Sequence, residues 1–296
     1  MVKTQNLITR KMKLNDEAYL YLRVRREEPK YQGEFSLVFV GDSHLGQKCI
    51  NSIKPEVMYE MLLKRIVNNQ NKYGNILAII HGGDATHSGK EQLERFITVT
   101  RNQLAYNQSG SNPIPLFMNV GNHEYQKDPL LYNYNSLVSN GRYVDEIWLR
   151  PQNACVLLLN TGGPDSDGHF TEEQQFPDQL AAMEAIIKAH PHYRFIIDMH
   201  IPPAIGPHKG KSHALKPKYS DQFIAFLNRY LQRVAAVVTH HRHCIHPSSL
   251  AYYYRGKVPI YITAFAGHCD CARLNGLKLT YTCNQQGIWK AKSSLL

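Results

Sequence analysis

Five short polar stretches carry the residue types that metal-assisted chemistry needs. GDSH holds Asp42 and His44, HGGD holds Asp84, and GNHE holds Asn122 and His123; HIPP opens on His200, and THHRH holds His241 and His243. Aspartate, asparagine and histidine without cysteine form an oxygen and nitrogen donor set. Such a set suits Mn, Fe, Zn or Ni rather than a thiolate zinc site. The eight side chains exceed what one ion needs. They fit two ions sharing a carboxylate, as in two-metal phosphoryl-transfer sites whose ions sit about 3.5–4 Å apart.

The elements that must position these residues are strands. Apolar, β-branched runs occur at 35–40, 76–80, 115–120, 154–160, 194–199, 234–239 and 258–264, mostly apolar on both faces as buried strands are. Helical patterns occupy 55–72, 90–107, 171–189 and 220–233. The first opens near Pro55; the third follows Thr171 with Glu172 and Glu173 in its first turn; the fourth carries Phe223, Phe226, Leu227, Tyr230 and Leu231 on one face. Strands alternating with helices predict one α/β domain over residues 1–296. Residues 1–34 read as an extension in which EAYLYLRVRREE is an extra edge strand, and 272–296 as a terminal hairpin turning near Gln286–Gly287. Each polar stretch directly follows an apolar run. In open α/β sheets the carboxyl ends of strands share one side, where ligands bind, so residues up to 201 positions apart can converge.

Composition narrows the partners. The net charge is +10, which favours anionic ligands such as phosphate esters, nucleic acid or acidic headgroups. The basic residues are scattered, with no run of five, which argues against a dedicated nucleic-acid arm. No apolar run approaches the ~20 residues of a membrane span. The opening MVKTQNLITRKMKLNDE lacks the apolar core and cleavage site of a secretory signal, which points to the cytoplasm. Of the six cysteines, Cys155 lies inside ACVLLLN as a buried thiol, and the pair Cys269 and Cys271 is too small for a zinc site without further ligands.

In this order, D-x-H, G-D, G-N-H-E, H and H-x-H resemble the motifs of the calcineurin-like metallophosphoesterase superfamily, from Phe35 to about Cys271. The resemblance implies a four-layer α/β/β/α sandwich with two metal ions (Mn, Fe or Zn) at the strand ends. It makes Asp42, His44 and His243 ligands of one ion, Asn122, His200 and His241 ligands of the other, and Asp84 the bridge. His123 becomes the catalytic histidine beside the leaving group, with Glu124 either orienting it or standing solvated. TAFAGHCD resembles the loop after the family's last core strand.

Departures narrow the group. His240 stands where the family has the glycine of Gly-His-x-His, and it could face the substrate. Protein serine/threonine phosphatases of the superfamily carry two phosphate-gripping arginines and an aspartate that partners the catalytic histidine. Here Ser88, Val120 and His87 occupy those positions. The metal-binding tyrosine of purple acid phosphatases is missing from Ala85–His87. The group the resemblance leaves, with His200 to Pro203 as H-x-P-P, includes nucleotide and cyclic-nucleotide phosphodiesterases, phosphomonoesterases and enzymes acting on lipid-linked phosphates. His208, Lys209 and Lys211 in HKGKSH form a candidate phosphate-gripping loop. The implied reaction is hydrolysis of a phosphomonoester or phosphodiester by metal-activated water. The rival readings are a non-catalytic scaffold on the same fold, as in a retromer subunit, and a nuclease.

Overall fold

The computed structural model describes residues 12–14, 18–20, 33–48, 53–70, 76–104, 114–138, 144–163, 175–243, 251–263, 276–283 and 289–296. Near the N-terminus, β1 (Met12–Leu14) and β2 (Ala18–Leu20) pair antiparallel as a hairpin of their own. Of the edge strand expected in this region, residues 17 and 21–28 lie outside the described residues.

All seven apolar runs form strands. β3 (Gly33–Val40), β4 (Ile76–His81) and β5 (Leu116–Met118) are parallel neighbours in one sheet. In the other, β7 (Ala154–Leu159), β8 (Arg194–Met199), β9 (Val234–Thr239) and β11 (Val258–Ile262) run parallel. Antiparallel strands complete both: β6 (Val144–Leu149) and β10 (Ala251–Tyr254) in the second, β12 (Leu277–Cys283) and β13 (Trp289–Leu295) in the first. The orders are β13-β12-β3-β4-β5 and β10-β11-β9-β8-β7-β6. The sequence pattern misses β6 and β10. Both are edge strands; β6 carries Asp145 and Glu146 and so lacks the apolar run of a central strand.

The helices are α1 (Pro55–Asn68), α2 (Lys90–Leu104), the short α3 (Asn122–Tyr125) and α4 (Tyr132–Leu137), α5 (Gln175–Ala189) and α6 (Pro217–Arg229). α6 starts three residues before the expected 220, because Pro217 takes a first-turn position whose amide would be unbonded anyway, and it ends at Arg229, so Tyr230 and Leu231 follow the helix rather than lie in it. The expected acidic turn at 171–174, the hairpin turn at 286–287, His246, the Cys269/Cys271 pair and all of TAFAGHCD but Thr263 lie outside the described residues.

Alternation along β7 shows how the layers stack. Ala154, Val156 and Leu158 join a core with Leu37, Phe39 and Ile80 of the first sheet. Cys155, Leu157 and Leu159 point the other way, onto Phe176 and Met183 of α5 and Phe223 and Phe226 of α6. On the outer side of the first sheet, Tyr59 of α1 stacks on Phe96 of α2 at 5.1 Å, and both rings meet His81 of β4. The result is a four-layer α/β/β/α sandwich. Fully burying each large apolar side chain contributes about 1.5–3 kcal/mol, so both faces of the second sheet are heavily committed. The strand ends are what remains for chemistry. Among the described residues no helix is long and apolar enough to cross a membrane.

Candidate metal centre

The parallel pairing of β3 and β4 continues past both strand ends through irregular backbone. Gly82 N–H donates to Val40 O (2.7 Å), Asp42 N–H to Gly83 O, His44 N–H to Asp84 O and Leu45 N–H to Ala85 O (3.0 Å each). Asp42, His44 and Asp84 have φ of 53°, 44° and 51°, and His241 and His243 have 66° and 43°. Left-handed backbone at non-glycine residues costs about 1–3 kcal/mol each and persists only where the surroundings impose it. All five of these residues turn their side chains to a common side. Gly83, at φ 101°, lets this loop touch the backbone of Gly121, where any Cβ would collide.

Among the described residues three donor groups result: two that combine aspartate with histidine, and the all-histidine set His44, His87 and His123. Asp42, His44 and His243 each offer one ligand atom within 4.8 Å of the others, as do Asp84, His200 and His241. In the first group His44 Nε2 is 3.2 Å from His243 Nε2, and His243 Nε2 is 3.4 Å from Asp42 Oδ1. In the second, Asp84 Oδ2 and Asn122 Oδ1 each lie 3.2 Å from His200 Nε2. Asp84 Oδ2 is also 3.8 Å from His44 Nε2, which places it between the groups.

The donor set fits cations. His200 Nδ1 donates to Gly82 O (2.9 Å), so in the neutral ring Nε2 presents a lone pair to two oxygen acceptors. Acceptors facing one another across 3.2 Å need a proton or a metal ion between them. The electrostatics agree. Burial opposes ionisation of Asp42, yet His243 and His200 hold its carboxyl well below the usual range. Burial likewise opposes ionisation of Asp84, and His200 outweighs it. Burial also opposes charge on His200, but Asp84 carries its pKa up to about 9. His44 and His241, where burial dominates, are pushed down, His241 to about 4. Buried anionic carboxylates thus face imidazoles that remain neutral or hold a proton in a cation's place.

His123 sits beside this centre. Its backbone N–H donates to Asp84 Oδ1 (2.8 Å), and its ring stands edge-on to His44 at 4.6 Å. Nδ1 donates to the carbonyl of His87 (2.9 Å), which leaves Nε2 for other partners. So His87 serves through its backbone, while its ring leans on His123 at 5.1 Å. Glu124 neither orients His123 nor stands in solvent. It is buried and accepts N–H groups from Asp84 (2.8 Å), Ala85 (2.9 Å), Thr86 (3.3 Å) and Gly121 (2.7 Å), tying the two loops together. Burial and Asp84 raise its pKa to about 7 against the pull of these amides.

The residues expected to touch substrate divide. Lys209 and Lys211 are exposed. His208 is buried, its Nδ1 accepting from Arg242 Nη1 (2.8 Å), and burial with Arg242 lowers its pKa to about 4. His240 does not face the open side. It is fully buried, with Asp198 on Nε2 and Thr263 on Nδ1, because the space above Gly41 and Gly82 admits its ring. Its φ is not positive; the left-handed positions are those of His241 and His243. The sequence pattern does not single out Asn119 and Asp198. Asn119 Nδ2 donates to Asp198 Oδ1 (2.9 Å) and lies near Leu159 O (3.2 Å) and Asp198 O (3.1 Å), stitching the sheets together under the centre. The available signal was a polar residue inside an apolar strand, which is rare without a partner.

Fold and donors together define an α/β sandwich with two Asp/His clusters at its strand ends. A family model described as calcineurin-like phosphoesterase matches residues 35–244, and the chain belongs to that family of phosphoric ester hydrolases, which generally use a dimetal centre. No curated protein matches the sequence. Among solved structures, the chain is similar to a candidate 5′-nucleotidase from Staphylococcus aureus in complex with α-ketoglutarate. The identity is 12% and the TM-score 0.57, over 89% of this chain and 54% of that one. It also matches purple acid phosphatase PPD1 from yellow lupin seeds, at 13% identity and TM-score 0.48, over 86% of this chain and 50% of that one. A third match is the phosphopantetheinyl hydrolase of Mycobacterium tuberculosis, at 14% identity and TM-score 0.45, over 79% and 90%. The chain spans about half the length of the first two. At 12% identity the first of these likenesses speaks to the fold alone.

Proposed function

We propose that the chain is a dimetal hydrolase of phosphate esters of small molecules or nucleotides. The observation that carries this reading is the pair of adjoining donor groups, Asp42/His44/His243 and Asp84/His200/His241, with Asp84 Oδ2 between them. Asp42, His44 and His243 would hold one divalent ion; Asn122, His200 and His241 would hold the other; Asp84 would serve both. When bound, such ions acidify water and neutralise phosphate oxygens. Mn, Fe and Zn all suit the donors.

The chain's own residues do the rest. His200 is locked by Gly82 O into the tautomer that presents Nε2. His123 is held at Nδ1 by the His87 carbonyl, a bond satisfied whether or not Nε2 carries a proton. Its charged form can therefore pass the Nε2 proton to a leaving oxygen, help typically worth about 10²–10⁴-fold. The anion-favouring charge of +10 and the exposed Lys209 and Lys211 suit a phosphorylated substrate. A scaffold reading would leave a complete set of strained, inward-turned donors without a purpose.

Elemental analysis with turnover of bis-p-nitrophenyl phosphate and p-nitrophenyl phosphate, for wild type and Asp84→Ala, tests the proposal. Near two ions per chain and activity lost in the variant are expected. A wild type that takes up no Mn²⁺ and turns over neither ester overturns it.

A further inference from the structure

Behind the metal centre lies a buried polar group that the proposed reaction does not use. His240 and Asp198 are both fully buried between the sheets. His240 Nε2 meets Asp198 Oδ2 at 2.8 Å, and Nδ1 meets Thr263 Oγ1 at 2.6 Å. The second carboxylate oxygen, Oδ1, accepts from Asn119 (2.9 Å). The His240 ring lies nearly parallel to that of His200, 8° apart with centroids at 6.4 Å, and its backbone N–H donates to His200 O (2.9 Å). The next residue is His241, whose N–H donates to Asp42 Oδ2 (3.2 Å).

Two glycines opposite the ring complete the picture. Gly41 and Gly82 do not have positive φ, so their backbones do not require glycine. The ring does. A Cβ on Gly41 would lie 2.5 Å from His240 Nδ1, and the three nearest atoms it would meet all belong to His240. Among the described residues, nothing beyond that side chain except chain neighbours would be nearer than 3.4 Å, ordinary contact distance. A Cβ on Gly82 would overlap the ring outright.

We propose that His240 is a positioning residue: its ring is a wedge, seated over Gly41 and Gly82 and fastened to Asp198 and Thr263, that fixes His200 and His241 on one side of the metal centre. This rests on the dimetal reading above. The ring ties β8 to the end of β11 and fills the gap to the ends of β3 and β4. It cannot shift without breaking both of its side-chain hydrogen bonds. His241, at φ 66°, has no glycine before it to give slack, so its geometry is inherited from this wedge. The wedge touches the His200/His241 side. Its loss should therefore act on one ion more than on the other.

The test is Mn²⁺ binding to the full chain by calorimetry, with the melting temperature of the metal-free protein as a second readout. The variants are His240→Gly combined with Asp198→Asn, which avoids a lone buried carboxylate, and Gly41→Ala with and without His240→Gly. The ring bonds no metal ligand itself and acts through position; changes behind a metal's ligands typically weaken affinity about 10–100-fold. One Mn²⁺ should weaken by that factor and the other should not. Gly41→Ala should lower melting in the presence of His240 and be tolerated in its absence, a non-additivity expected only of residues in contact. Two ions bound as tightly as in wild type, two ions weakened equally, or additive melting effects would each overturn the proposal. A wild type that binds no metal overturns the dimetal reading along with it, whereas a wild type with two ions and an unaffected variant overturns this inference alone.

Discussion

Replacing Asn119 by aspartate changes one amide nitrogen to oxygen at the point where the two sheets are stitched together. In the wild type Asn119 Nδ2 faces Leu159 O (3.2 Å), Asp198 O (3.1 Å) and Asp198 Oδ1 (2.9 Å), all acceptors. The ionised side chain of the Asn119→Asp variant would set a second carboxylate against them in an enclosed position. Two such groups cannot both ionise, so the folded variant keeps a proton that its unfolded chain has released. Holding a proton at pH 7 on a group of unfolded pKa about 3.9 costs about 4 kcal/mol, at 1.36 kcal/mol per unit. At pH 5 the same cost is about 1.5 kcal/mol. The sign follows: the folded variant binds more protons than the unfolded chain, so its stability falls as pH rises. For 296 residues, an unfolding entropy of about 2.1 cal/mol/K per residue converts these costs to about 7 °C and 2 °C in Tm. Differential scanning calorimetry of both proteins from pH 5 to 7 measures the gap. A deficit that does not grow with pH, or no deficit at all, would refute the assignment of Asn119 as donor to Asp198.

Three further outcomes are expected. His208, buried beside Arg242, has its pKa depressed to about 4, so wild-type stability should fall as pH drops from about 6.5 toward 4, by up to about 3 kcal/mol; His208→Gln keeps an acceptor for Arg242 and should flatten that limb of the melting profile. His123→Asn should retain two ions and lose about 10²–10⁴-fold in turnover of phenyl phosphate. Its loss on p-nitrophenyl phosphate should be much smaller, because that leaving group needs no proton; equal losses on the two esters would count against His123 as the acid. Phe223→Ala, in the core under α6, should cost about 3–5 kcal/mol, near 5–8 °C, and leave metal uptake intact, since that core lies on the far side of the second sheet. Metal loss in that variant would contradict the separation of layers.

The central strands and the donors that follow them were legible because burial on both faces demands continuous apolar runs, and a strand ending in Asp or His breaks such a run visibly. Edge strands were harder. VDEIWL in β6 carries adjacent acidic residues and shows no apolar run. Of the N-terminal alternation only Ala18–Leu20 is described, paired with β1. Side-chain direction was not legible. Glu124 stands next to His123 in sequence yet turns onto four backbone amides. His208 sits in a basic loop yet is buried.

His240 shows why direction escapes a reading along the chain. Between a strand end and two histidines that face the centre, its residue type argues for the open site as strongly as theirs does. What decides its direction is space, and that space comes from Gly41 and Gly82, roughly 200 and 160 positions away. Each of these glycines, met alone, reads as a turn residue beside a donor. Their φ values show that the turns do not need them. A glycine retained where the backbone permits any residue marks another side chain's position, and here it marks the one imidazole of the HHRH stretch that holds the centre from behind.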